Sequence, residues 1–172
     1  MAPPGSGMNQ QVSSSFDSRA FRNALGSFAT GVAVITTLGR SGEPIGLTVN
    51  SFNSVSLAPP LIVWSLASHL PLRADFESCE HYAVNILAED QQWLSQRFAS
   101  READKFADVG VEPGMGGVPL LVGCCARFEC RNTQRHPGGD HVVFLSEVLR
   151  FDRDERPPLL FHGGAYRRLD AS

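Results

Sequence analysis

Apolar positions recur along the chain with two different periods, and the switches between them outline the elements. From Asp17 to Phe28, the residues Phe21, Ala24, Leu25 and Phe28 return at steps of three and four. Asp17 or Ser18 stands where a helix cap belongs and Gly31 lies beyond the end, which predicts one amphipathic helix. GVAVITTL is then a β-branched run, GRSG a turn and EPIGLTVNSF an extended stretch, so residues 32–50 read as a hairpin. Pro59 and Pro60 interrupt ladder pairing because neither has an N–H to donate, and LIVWSL after them reads as a buried strand. SHLPLRADFESCEH predicts a turn with a short helix, YAVNIL a strand, and Asp90 to Ala99 a second helix with Trp93, Leu94 and Phe98 on one face. Further strands are expected at Ala126 to Gln134 and His141 to Phe151, before the terminal PPLLFHGGAYRRL.

Six or so strands with two substantial helices predict a mainly β fold with helical decoration, an antiparallel barrel in outline. The glycine-rich GVEPGMGGVP lacks the strand before and helix after that a phosphate cradle requires, and it reads as a loop. At 172 residues the chain suits one domain, taken as residues 16–172, and needs no disulfide or metal staple. Residues 1–15, rich in Pro, Gly, Ser and Gln, read as a disordered arm without the cationic head and apolar core of a secretory signal.

Charge narrows the function. A formal net charge of -3 and the lack of any basic stripe argue against nucleic acid as a partner. No apolar run approaches the roughly 18 to 20 residues of a membrane helix, so the expected compartment is the cytoplasm. Cys124, Cys125, Cys130, His136 and His141 crowd one region, but no C-x-x-C pair is present and adjacent strand residues point to opposite faces. Buried reduced thiols, rather than a metal site, are expected. No G-x-S-x-G elbow marks a hydrolase, and the carboxylates gather in polar loops rather than in a facing pair.

What remains is GLTVNSFNSVSLAPP, residues 46–60, whose polar positions Thr48, Asn50, Ser51, Asn53, Ser54 and Ser56 carry no charge at all. They suit either a plain exposed strand or a cofactor with amide-like edges, such as an isoalloxazine, whose pyrimidine edge offers both donors and acceptors. Hydride transfer between two cofactors asks the protein to bind, orient and exclude, and does not require a cluster of acids and bases.

Read together, FRNALGSFATGVAVITT, GLTVNSFNSVSLAPPLIVWSL, HYAVNIL, FASREADKFA, GGDHVVFLSEV and PPLLFHGGAYRRL resemble, in order and spacing, the short-chain flavin reductases that supply reduced flavin to two-component monooxygenases. The resemblance runs over roughly residues 16–169. It implies a homodimeric split β-barrel of the Greek-key, FMN-binding type. It also implies an NAD(P)H:flavin oxidoreductase with FMN or FAD and with NADH or NADPH as co-substrate. The partner implied is a flavin-dependent monooxygenase reached by diffusing reduced flavin. By the same resemblance Thr48, Val49, Asn50, Ser51 and Phe52 line the isoalloxazine, with Ser54 and Ser56 as further contacts. Thr30 and Gly31 lie near the ring, Ser65, Ser68 and Arg73 near the ribityl phosphate, and Asn85 supports from the next strand. Gly139, Asp140 and His141 meet the nicotinamide, with His141 over the reacting face and Tyr166 and Arg22 as lesser candidates for the same pocket.

Two departures qualify the likeness. Many relatives carry a lysine and hydroxyls where this chain has Ala67 to Leu72 followed by Arg73, and Ser146 stands where glycine is common. Arg73, Arg101, Lys105, Arg135 and Arg167 are each open as partners for a 2′-phosphate. The competing expectation is a barrel that holds its flavin tightly and either reduces another acceptor or does not turn over.

Overall fold

The computed structural model describes residues 17–169, and the arm expected at residues 1–15 lies outside them. Helix α1, Ser18–Leu25, is capped by the Asp17 carboxylate, which accepts the Arg19 N–H at 2.9 Å and the Ala20 N–H at 3.3 Å. It stops at Gly26, earlier than the periodicity predicts, and it buries none of its residues. The apolar stripe is present, but Leu25 and Phe28 are largely exposed.

The strands are β1 (Thr30–Gly31), β2 (Ala33–Leu38), β3 (Pro44–Val49), β4 (Asn53–Leu57), β5 (Pro60–Ala67), β6 (His81–Ile86), β7 (Val111–Pro113), β8 (Pro119–Leu121), β9 (Ala126–Gly138), β10 (His141–Arg153), β11 (Leu160–His162) and β12 (Ala165–Arg167). Two further helices are α2 (Arg73–Ser78) and α3 (Gln92–Ala99). Seven strands form one antiparallel sheet in the order β3-β2-β6-β9-β10-β5-β4, beside a β1-β11-β12 sheet and a β7-β8 hairpin. The glycine-rich segment is the connection of that last hairpin, with Gly116 and Gly117 at φ +63° and +82°.

Local chemistry explains the main hairpins. Gly39 and Gly42 close the GRSG turn between β2 and β3, the Gly42 N–H donating to the Gly39 carbonyl at 2.9 Å. Pro60 does not break pairing as expected. It is the first residue of β5 and faces Leu57 across a tight turn, a position where a missing N–H costs nothing to the ladder. Gly46 has a different reason to be glycine, since a Cβ there would come within 2.9 Å of the Phe98 ring as α3 lies across β3.

The two edge strands of the large sheet, β3 and β4, are joined by Asn50 to Phe52 alone. So short a link spans at most roughly 15 Å, so the sheet must curl until its two edges nearly meet. It does not close, for no ladder joins β3 to β4. The result is a mainly β fold, a curled sheet with an open seam instead of a closed barrel. Its interior is filled by Trp64, Phe76, Tyr82 and Phe144, with Trp64 and Phe144 stacked at 4.4 Å. A second core, from Val34, Leu94, Phe98 and Leu159, joins α3 to the other face.

The four cysteines are reduced, and Cys124, Cys125 and Cys130 are buried. Burial pushes the Cys124 and Cys130 thiols up to about 12 each. Because these thiols ionise more readily in the unfolded chain, folding is favoured below the unfolded value of roughly 8.5, and that advantage is lost as pH rises toward 12. The expected outcome is a urea midpoint that is level between pH 7 and 8 and declines from about pH 9, less steeply in Cys130→Ala. A midpoint level to pH 10.5 in the unsubstituted protein would contradict the assignment.

Candidate active site at the sheet seam

The seam begins where β3 ends. Val49 points inward and is 8% exposed, whereas Asn50 and Ser51 face solvent. Ser51 crosses the gap: its Oγ accepts the Ser65 N–H at 3.0 Å and donates to the Ser65 carbonyl at 3.2 Å, so one hydroxyl replaces a rung of ladder between the link and β5. Phe52 turns the other way and stacks on Phe128 with ring centroids 5.7 Å apart. The Asn53 side chain accepts the Ser54 N–H at 2.8 Å, and Ser54 and Ser56 stand on either side of a bulge in β4.

On the far side of β5 lies the tip of the β9–β10 hairpin. Gly138 pairs with His141, leaving Gly139 and Asp140 as a two-residue turn. Gly139 has φ +71° and Asp140 does not enter the left-handed region, the signature of a II′ turn, which calls for glycine at its first central position. His141 also pairs with Ala67 at the end of β5, and the Ser68 N–H donates to the Asp140 carbonyl at 2.9 Å. Thus Asn50, Ser51, Ser65, Ser68, Asp140 and His141, drawn from three distant stretches, are joined through β5. The His141 ring Nδ1 is 2.6 Å from Asp140 Oδ1. That hydrogen bond, with the charge of His141, holds the Asp140 carboxyl below its usual range.

The other expected residues fall into different surroundings. Thr48 donates its hydroxyl to the Ser95 carbonyl at 2.7 Å, and the Ser95 hydroxyl is 2.8 Å from the Tyr166 hydroxyl. Ser95, fully buried in the middle of α3, is the residue that sequence reasoning missed, although a lone serine among Leu94 and Phe98 was a signal available in the sequence. Thr30 on β1 carries a buried hydroxyl with no hydrogen-bond partner among the described residues, and the space beside Gly31 is open. Tyr166 also lines a cleft of about 460 Å³, together with Gln92, Leu159, Arg167 and Arg168.

Asn85 is fully buried and its amide is committed inside the protein. Nδ2 donates to the Val34 carbonyl and to Thr36 Oγ1, both at 3.0 Å, and Oδ1 accepts the Leu121 N–H at 2.9 Å. Arg73 is half spent on Glu77, 3.0 Å away along α2, and Lys105 donates to the Phe98 carbonyl. Arg22 sits on the exposed α1.

Uncharged donors and acceptors thus lie along an open seam, with an aspartate–histidine pair at one end. The chain belongs to the flavin reductase family, matching the flavin reductase like domain over residues 25–170. It is 47% identical over 153 residues to the FMN reductase (NADH) SmoA of Agrobacterium fabrum, spanning 89% of this chain and 87% of that protein. It is 40% identical over 156 residues to the flavin-dependent monooxygenase reductase subunit HsaB of Rhodococcus jostii, spanning 90% of this chain and 79% of HsaB. Among solved structures, the NADH:FAD oxidoreductase SgcE6 of Streptomyces globisporus C-1027, in complex with NAD and FAD fragments, superposes with a TM-score of 0.85 at 37% identity, covering 91% of this chain and 96% of that one.

Proposed function

We propose that the protein is an NAD(P)H:flavin oxidoreductase that passes a hydride from a reduced nicotinamide to FMN or FAD and releases the reduced flavin to a partner monooxygenase. The observation that carries this reading is the seam itself, where neutral hydrogen-bonding groups of Asn50, Ser51, Ser54 and Ser65 lie within one curled sheet beside the His141 turn. The residues fit a flavin on chemical grounds. Backbone amides at 50–52 and the Asn50 side chain can match an edge that both donates and accepts, and the orphaned Thr30 hydroxyl is a further donor. When bound, the isoalloxazine supplies the hydride acceptor at N5.

The work of the protein's own residues is positional. Ser51 fixes the link to β5, so the groups meeting the ring are held before it arrives. In this reading Ser68 and Arg73, at the β5–α2 connection, meet the phosphate through their side chains, the Ser68 N–H being already used on Asp140. His141 orients the nicotinamide carboxamide so that C4 reaches hydride distance, a contribution of proximity and not of acid–base chemistry. The hydride carries two electrons and one proton, leaving the oxidised nicotinamide cation and the anionic dihydroflavin, so no further proton is required. In this reading the seam is the slit of a split barrel, and a second copy of the chain covers part of it in a homodimer.

Anaerobic stopped-flow with NADH or NADPH, with and without added FMN or FAD, tests the function. Bleaching of free flavin over many turnovers is expected. Reduction of one bound equivalent only would assign a fixed flavin and a different acceptor, and no reduction would end the reading.

A further inference from the structure

The seam accounts for His141 but leaves open what Asp140 does. Its side chain is 93% exposed, so it is neither packed nor needed to satisfy a buried group. Yet it makes the shortest hydrogen bond at the hairpin tip, 2.6 Å to His141 Nδ1. Consecutive residues of a strand direct their side chains to opposite faces and do not meet. These two do because Asp140 is in the turn and His141 is the first residue of β10.

Both backbones are fixed from outside the pair. The Ser68 N–H holds the Asp140 carbonyl, the Ala67 rung holds His141, and Gly139 supplies the positive φ that sets the turn. His69, on the loop that carries Ser68, is the other imidazole whose charge reaches Asp140. Among the described residues only the His141 ring hydrogen-bonds the carboxylate, so the contact belongs to His141.

From this geometry we propose that Asp140 is a positioning residue that acts through His141: its carboxylate holds the proton on Nδ1 and presents Nε2 as the ring atom that meets the nicotinamide. This rests on the function proposed above. A carboxylate accepts only, so the atom facing it must bear hydrogen. In the neutral ring Nε2 is then left as an acceptor for the carboxamide NH2. An asparagine in place of Asp140 brings an NH2 as well as an oxygen and can satisfy the opposite tautomer. The pair also resists rotation of the ring, since turning it over would break the Nδ1 contact and face the carboxylate with carbon.

Two readouts test the proposal on the full chain. Long-range 1H–15N spectra of the nucleotide-free protein are expected to show His141 with its proton on Nδ1. Asp140→Asn is expected to lose that preference, while His69→Ala leaves it unchanged. In steady-state assays Asp140→Asn is expected to raise KM for the reduced nicotinamide about three- to tenfold while KM for flavin holds, with Asp140→Glu recovering part of the loss. An unchanged tautomer in Asp140→Asn, or an unchanged nicotinamide KM, would overturn the proposal. A wild-type protein that shows the tautomer but oxidises no nicotinamide would overturn the nicotinamide half of it along with the proposed function, leaving the aspartate–histidine pair established.

Discussion

Asn85→Ala is expected to lower the free energy of unfolding by about 3 kcal/mol while leaving flavin affinity of the folded protein within twofold. The amide joins three strands, reaching Val34 and Thr36 on β2 and Leu121 on β8 from its place on β6. Removing it strands the buried Leu121 N–H and takes from the buried Thr36 Oγ1 the amide that donates to it, and each such orphan costs roughly 1–3 kcal/mol. The resemblance assigned this residue to support of the flavin, and its hydrogen bonds show how such support would work, through the sheet and not by contact. Urea unfolding followed by fluorescence, with flavin titration at low denaturant, separates the two effects. A tenfold loss of flavin affinity at unchanged stability would mean that the amide faces the ligand after all.

The second large effect is on turnover. His141→Ala is expected to reduce kcat/KM for NADH or NADPH by about 10- to 100-fold, the equivalent of one charge-assisted or well-oriented hydrogen bond. Flavin KM and thermal stability are expected to hold, because the ring is 42% exposed at a hairpin tip and no core packing depends on it. The loss should exceed that of Asp140→Asn, as the carboxylate acts only through the ring. A change of less than twofold would remove His141 from the reaction and leave Tyr166 as a remaining candidate for the nicotinamide.

Much of this architecture was legible because its signals are local. The β-branched AVITTL, the GRSG turn and the strand patterns from Ala126 and from His141 each depend on residues close in the chain, and the structure places β2, β3, β9 and β10 there. The uncharged run at residues 48–56 was likewise visible as an anomaly. What the run did not reveal is that it is divided between two strands on opposite edges of the sheet. That partition is decided by β6 inserting beside β2 and by β10 pairing with β5, contacts between residues far apart in sequence. Ser95 escaped notice for the same reason, since its partner Tyr166 lies 71 residues away. Helix α1 shows the converse limit: periodicity reports that a helix has an apolar face, but not whether the chain itself covers that face.

The two-residue turn at Gly139 and Asp140 sets a rule for how this site can change over evolutionary time. Side chains alternate faces along a strand, so one residue inserted into the turn and absorbed into β10 would carry His141 to the opposite face of the sheet. Two inserted residues would return it to the same face but displace it by roughly 7 Å, beyond hydrogen-bond reach of its present neighbours. Loop length here behaves as a counting constraint: substitutions can tune the nicotinamide contact by degrees, whereas insertions and deletions can only switch it off or move it elsewhere.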